Sequence, residues 1–162
     1  MRGWIRSMVA LMLFVLALQP VAAKDLSGRD AVSGQAMIDQ ACATAAAHRN
    51  LVLVMFTAEW CPWCRDMKKA FQEPVLVEAL KKFELVELDV GKRSIVDGKK
   101  RYERHFDLMM RYARTAFIPQ LFVLDWKGRL VARLDPADYE RANPEGNDPA
   151  RLARILNRYR LP

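Results

Sequence analysis

The chain has 162 residues, of which 52% are apolar and 28% charged, and its formal net charge is +7. That length and composition describe one globular domain with a substantial core and exclude a disordered chain. The basic excess is scattered, so it argues for solubility and acidic partners and against dedicated nucleic-acid binding.

The first element reads as a leader. Arg2 and Arg6 open it, Met8 to Leu18 is an unbroken apolar run of eleven residues, and Pro20 precedes the small residues Val21-Ala22-Ala23. The pattern predicts a secretory signal peptide over 1–23, cut after Ala23, followed by a single domain over 24–162. A membrane anchor is the competing reading, but the run is shorter than the ~20 residues a spanning helix needs, so no stable membrane insertion is expected after cleavage. No cysteine follows the run, which argues against a lipoprotein, and there is no twin-arginine pair. Cleavage leaves 24 basic side chains against 19 acidic ones. Export puts the thiols of Cys42, Cys61 and Cys64 in an oxidising compartment, where disulfides persist. Three cysteines in a chain with a large core make no disulfide-stapled mini-fold, so the close pair is more plausibly chemical than structural.

Lys24 to Arg29 is a polar lead-in. Residues 30–48 are alanine-rich, with Met37, Ile38, Ala41 and Ala45 at helical spacing, and predict a helix that contains Cys42. Leu51 to Phe56 has no polar break and predicts a strand buried on both faces. After Ala58-Glu59-Trp60-Cys61 a helix is expected from Pro62 to about Phe71, with Pro62 suited to a first turn that needs no N–H partner. Pro74 restarts it through Leu80 and Phe83. Leu85 to Val90 alternates, with Val86, Leu88 and Val90 on one side, and predicts a second, less buried strand. Gly91 to Gly98 reads as a polar, basic connection. A helix is then predicted over 99–114, with Tyr102, Phe106, Met109 and Ala113 as its stripe and Arg101, Arg104, Arg111 and Arg114 around it as a solvated face.

Ile118-Pro119 opens a strand over Gln120–Leu124, and Asp125-Trp126-Lys127-Gly128 turns it into another over Leu130–Leu134. A loop rich in Pro, Asn and Gly covers 135–147. Asp148-Pro149 starts the last helix, with Leu152, Ile155, Leu156 and Tyr159 inward. The order α, β, α, β, α, β, β, α implies an α/β domain with a central mixed sheet and helices on both faces.

The chemistry concentrates at Cys61 and Cys64. A pair three positions apart, where a strand hands over to a helix, puts the first thiol where backbone N–H groups and the helix dipole favour a thiolate. The second lies one turn on, within reach of a small disulfide ring. Trp60-Cys61-Pro62-Trp63-Cys64, the buried strand before it and Ile118-Pro119 later in the chain together resemble the thioredoxin superfamily. Glu73-Pro74 and the strand end at Asp89 are similar to its exported bacterial members.

The resemblance implies a thioredoxin-like fold with a central mixed sheet of four or five strands flanked by helices. It implies a periplasmic thiol:disulfide oxidoreductase that needs no cofactor, with Cys61 as exposed nucleophile and Cys64 as partly buried resolving thiol. Pro119 would be a cis-proline beside the pair, and Ile118 would offer backbone groups that hold the substrate chain as an added strand. Trp60 would pack beside the centre, with Pro62 and Trp63 completing the substrate face. Protein thiols and disulfides are the implied partners, together with a membrane-bound electron donor or acceptor. One position departs from the family: Met55 stands where thioredoxins proper carry a buried acid that moves protons for the resolving thiol.

The Pro62-Trp63 pair brings no cation to stabilise the Cys61 thiolate, so the reading leans to a reductant, although Arg65 works in the other direction. Three alternatives compete. Cys61 and Cys64 could form an inert bridge, but so short a loop gains little stability. They could be half of a metal site completed by Cys42, His48 or His105, but none of these shows a partner motif and no metal is assigned. The fold could serve as a non-catalytic binding module or chaperone. Arg65 argues against haem attachment, because it occupies the position where histidine is required. Cys42 reads as a small buried hydrophobe, His48 as a helix end, and His105 as a surface residue of the basic helix.

Overall fold

A computed structural model describes residues 33–140 and 146–160. The predicted leader, the Lys24–Arg29 lead-in, the first residues of the predicted helix over 30–48 and part of the 135–147 loop lie outside the described residues.

The unbroken apolar run becomes strand β1 (Leu51–Thr57), buried along its whole length. Such a strand must be covered on both faces, and it occupies the centre of a four-stranded sheet. β2 (Phe83–Asp89) lies parallel to it on one side, β5 (Gln120–Leu124) antiparallel on the other, and β6 (Leu130–Leu134) pairs antiparallel with β5 at the far edge. The sheet is mixed and four-stranded, as the resemblance implied.

Two apolar clusters follow from the period-two alternation of β1. Val52, Val54 and Phe56 face one way, with Val86, Leu88 and Phe122, and are covered by helix α1 (Gly34–His48) and helix α4 (Phe106–Tyr112). Leu51, Leu53 and Met55 face the other way, with Leu121 and Val123. Helix α2 (Pro62–Ala70), helix α3 (Pro74–Leu80) and helix α6 (Pro149–Leu156) cover that side. Prolines mark the starts of α2, α3 and α6 where an N–H would be unsatisfied anyway. The Asp148 side chain caps α6 by accepting from the N–H groups of Ala150 and Arg151.

The region 91–114 departs from the sequence reading. In place of one helix over 99–114 there is a hairpin, β3 (Arg93–Val96) and β4 (Lys99–Tyr102), and only then the short α4. Asp97 and Gly98 both have positive φ, 50° and 69°, as the two central residues of a tight primed hairpin turn require. The expected inward stripe survives by a different route, since Tyr102 turns in from a strand and Met109 and Ala113 from the helix region beyond it. The 135–147 loop also contains a short helix, α5 (Pro136–Tyr139), whose Tyr139 is fully buried.

His105 is no surface residue of a basic helix. It is the half-buried N-cap of α4, with φ of 54°. A Cβ on Gly34 would come within 2.8 Å of its ring, so glycine lets α1 approach there. Burial, and then the charge of Arg104, hold its imidazole below the ordinary value. His48 ends α1 as expected and bonds Glu84 at 3.0 Å.

Candidate active site

β1 delivers Cys61 to its position. The strand leads into Ala58-Glu59-Trp60, and the Cys61 N–H donates to the Ala58 carbonyl at 3.2 Å. Cys61 is the N-cap of α2, with extended backbone (φ −88°, ψ 111°), and its Sγ accepts the Cys64 N–H at 3.2 Å. An N-cap atom in that position satisfies one of the helix's unpaired donors and sits at the positive end of its dipole. The two cysteines are joined as a disulfide, with Cα atoms 5.2 Å apart.

Strand pairing supplies the other half of the site. β1 and β5 run antiparallel with Phe56 opposite Gln120, so the end of β1 and the start of β5 lie side by side. That register carries Ile118-Pro119, just before β5, back to the cysteines. The Ile118–Pro119 peptide bond is cis, and the Ile118 carbonyl oxygen lies 3.6 Å from Cys61 Sγ. The Gln120 side chain secures the approach by donating to the carbonyls of Thr115 and Phe117 at 2.6 and 2.9 Å.

The pair is less open than the resemblance implied: Cys61 is 3% exposed and Cys64 0%. The apolar surface around it belongs to the tryptophans, with Trp60 41% and Trp63 39% exposed; Pro62 is exposed between the thiols. Trp60 is anchored on the side of Gly91 and Tyr102. Its Nε1–H donates to the Gly91 carbonyl at 2.7 Å, its ring packs against Tyr102, and the Arg93 guanidinium lies 5.2 Å over it. Arg65 reaches back to donate to the Glu59 carbonyl at 2.7 Å, which braces the loop before the cysteines.

Met55 is fully buried in the cluster on the opposite face from the one Cys61 and Cys64 join. Among the described residues, the polar groups within hydrogen-bond distance of Cys61 Sγ are the Cys64 N–H and the Ile118 carbonyl, with no acidic side chain. Cys42 is buried on α1, 3.8 Å from the Asp125 carbonyl. Burial, and then Asp39 and Asp125, push its thiol pKa up, as suits an inert core thiol. Among the described residues no three His, Cys, Asp or Glu side chains are grouped to hold a metal.

Sequence reasoning missed two contributors. The β3–β4 hairpin, which carries Trp60's partners, was readable in Asp97-Gly98 flanked by Val96 and Lys99. Asp66, on α2 just beyond Cys64, accepts from the Asn147 backbone N–H at 2.8 Å and from its side-chain amide at 2.7 Å. No local pattern announces that tether.

This fold, with a Cys-x-x-Cys disulfide at a helix N-terminus and a cis-proline facing it, is that of a thioredoxin-like protein. The model of the thioredoxin-like domain matches residues 38–142, and the chain belongs to that family. Among solved structures it is similar to a disulphide isomerase from Xylella fastidiosa, at 20% identity and a TM-score of 0.62, covering 84% of this chain and 98% of that one. The reduced C-terminal domain of Neisseria meningitidis DsbD matches at 18% identity and a TM-score of 0.51, covering 78% and 93%. A thioredoxin from Thermus thermophilus matches at 24% identity and a TM-score of 0.51, covering 74% and 80%. At these identities the likeness is one of fold. No curated protein matches the chain.

Proposed function

We propose that this chain is an exported thiol:disulfide oxidoreductase acting on protein substrates in the periplasm, after removal of a signal peptide over 1–23. The observation that carries the reading is the position of Cys61 Sγ, at the α2 N-terminus and facing the Ile118 carbonyl beside cis-Pro119.

In the reducing direction, the Cys61 thiolate attacks one sulfur of a substrate disulfide. A Cys61–substrate bond forms, the substrate S–S bond breaks, and the departing thiolate takes a proton from water. Cys64 then loses its proton and attacks Cys61 Sγ, which forms the Cys61–Cys64 disulfide and releases the second substrate thiol. Two electrons pass from the pair to the substrate. Ile118 and Pro119 support the substrate backbone during both steps, and Trp60, Pro62 and Trp63 form the apolar face against which it lies. Met55 cannot carry a proton, so proton transfer to and from Cys64 does not use the position that serves thioredoxins proper.

Re-reduction of the pair requires a thiol donor, and a membrane-bound dithiol protein is the expected one. With no cation between the thiols, the pair leans to reduction.

The test is disulfide reduction of an insulin-type substrate with dithiothreitol as donor. Cys61→Ser should abolish turnover. Cys64→Ala should stall a mixed disulfide on Cys61 that is visible by mass spectrometry. A wild type with no turnover and no trapped mixed disulfide would overturn the exchange reading in favour of a binding module. Equilibration against glutathione tests direction, and a potential near about −120 mV would overturn the reductant reading.

A further inference from the structure

The β3–β4 hairpin does more than hold Trp60. Between Gly91 and Arg104 six basic side chains stand against two acidic ones. Some of this charge is satisfied locally: Arg104 pairs with Asp89 at 3.5 Å and Arg101 approaches Asp107 at 3.9 Å, while the Glu103 carboxylate accepts the backbone N–H of Lys92 at 3.0 Å. Lys99 and Lys100, both exposed on β4, make no ion pair among the described residues.

These two lysines line a largely apolar groove of about 510 Å³ together with Phe106, Met110, Thr115, Ala116 and Phe117. The first strand of the hairpin also ends in exposed apolar residues, with Ile95 63% and Val96 47% exposed. Isolated exposed apolar residues are ordinary, but two large ones on a short cationic hairpin next to an apolar groove are not a solvated face.

The groove also leads somewhere. Its wall at Ala116-Phe117 runs directly into Ile118-Pro119, the segment whose carbonyl faces Cys61. The Tyr102 hydroxyl donates to the Ala116 carbonyl at 3.1 Å, which fastens the hairpin to that wall. A partner segment held at Ile118 is therefore one residue of this chain's backbone away from Phe117, which lines the apolar groove together with the two lysines.

We infer that this groove is a docking site for an acidic, apolar polypeptide segment flanking the reactive cysteine of a protein partner. Leucine-like side chains would enter between Phe106, Met110 and Phe117, while carboxylates meet Lys99 and Lys100. The inference takes its consequence for rate from the exchange reading above, but binding to the groove does not depend on it.

The probes are two labelled, cysteine-free octapeptides, one alternating glutamate and leucine, the other with glutamine in place of glutamate. By fluorescence anisotropy the acidic peptide should bind about ten-fold tighter at low ionic strength, as two exposed ion pairs can supply, and added salt should narrow the gap. The K99E/K100E double variant should lose the preference. With disulfide-bearing versions of the same peptides, it should slow reaction of the acidic one about ten-fold and leave 2-hydroxyethyl disulfide unaffected.

Equal binding of the two peptides, equal weakening of both by charge reversal, or binding to phosphatidylglycerol vesicles without peptide preference would each overturn the inference. A wild type inert towards every disulfide would remove the exchange reading, while the anisotropy still judges the groove. Should the double variant misfold, the salt and peptide-charge dependence of the wild type decide.

Discussion

Asp66 offers the most quantitative test of how the cysteine-bearing helix is held. One carboxylate oxygen accepts both the backbone N–H and the side-chain amide of Asn147, at 2.8 and 2.7 Å. Asn147 is 5% exposed, and its own carbonyl oxygen has no partner among the described residues. Asp66→Ala removes two hydrogen bonds to a charged acceptor and leaves a buried N–H unpaired. Hydrogen bonds to charged groups are worth about 1.5–3 kcal/mol each, and because the two share one oxygen they do not add fully. The expected loss is about 3 kcal/mol, which for a domain of this size lowers Tm by roughly 10 °C. In urea the midpoint should fall by about 1–2 M with an unchanged slope. Asp66→Asn keeps an acceptor oxygen but not the charge and should recover about half of the loss. Gly146 confirms the tightness of the contact, since a Cβ there would meet the same carboxylate oxygen at 2.5 Å. An Asp66→Ala variant within about 0.5 kcal/mol of wild type, or an Asn variant no better than Ala, would refute the argument.

Three further outcomes are expected. The hydrogen bond from His48 holds the Glu84 carboxyl below its ordinary 4.5, against partial burial and with help from Asn50. The unfolded chain therefore takes up that proton more readily, and the stabilisation is present above the ordinary glutamate range and lost as pH falls below it. Glu84→Gln should cost about 0.5 kcal/mol in denaturant melts at neutral pH and nothing in strong acid; a cost that persists undiminished in strong acid would reverse the assigned sign. The Tyr139 hydroxyl is fully buried without a partner among the described residues, so Tyr139→Phe should leave Tm unchanged or raise it, and a loss above about 1 kcal/mol would reveal a bond to that hydroxyl. Cys42, buried with a raised thiol pKa, should resist alkylation in the native protein and react only on unfolding; rapid labelling by mass spectrometry would show an accessible third thiol.

Much of this protein is written in short stretches of sequence. The short, β-branched apolar run Leu51–Phe56 forms a central strand, the proline after Cys61 suits a first helical turn, and Asp148-Pro149 caps a helix with its own side chain. These features are local, because a few neighbouring residues supply the whole physical cause. The hairpin is local too, yet its first strand reads as a polar connection and its second as the start of a helix. Its lysines and arginines are good helix formers, and the inward positions of Tyr102, Phe106 and Met109 match a helical period although they come from two elements.

What the chain leaves undecided until it folds is contact between distant segments. The antiparallel register of β1 and β5 sets the Ile118 carbonyl 3.6 Å from Cys61, across 57 positions of sequence. The same holds for Asp66 and Asn147, 81 positions apart, and for Trp60 on Gly91. The reactive pair was legible because its reactivity begins with its own helix terminus. Its 3% exposure, and the groove lined by Lys99, Lys100, Phe106 and Phe117, exist only because strand pairing and a hairpin bring separate stretches together.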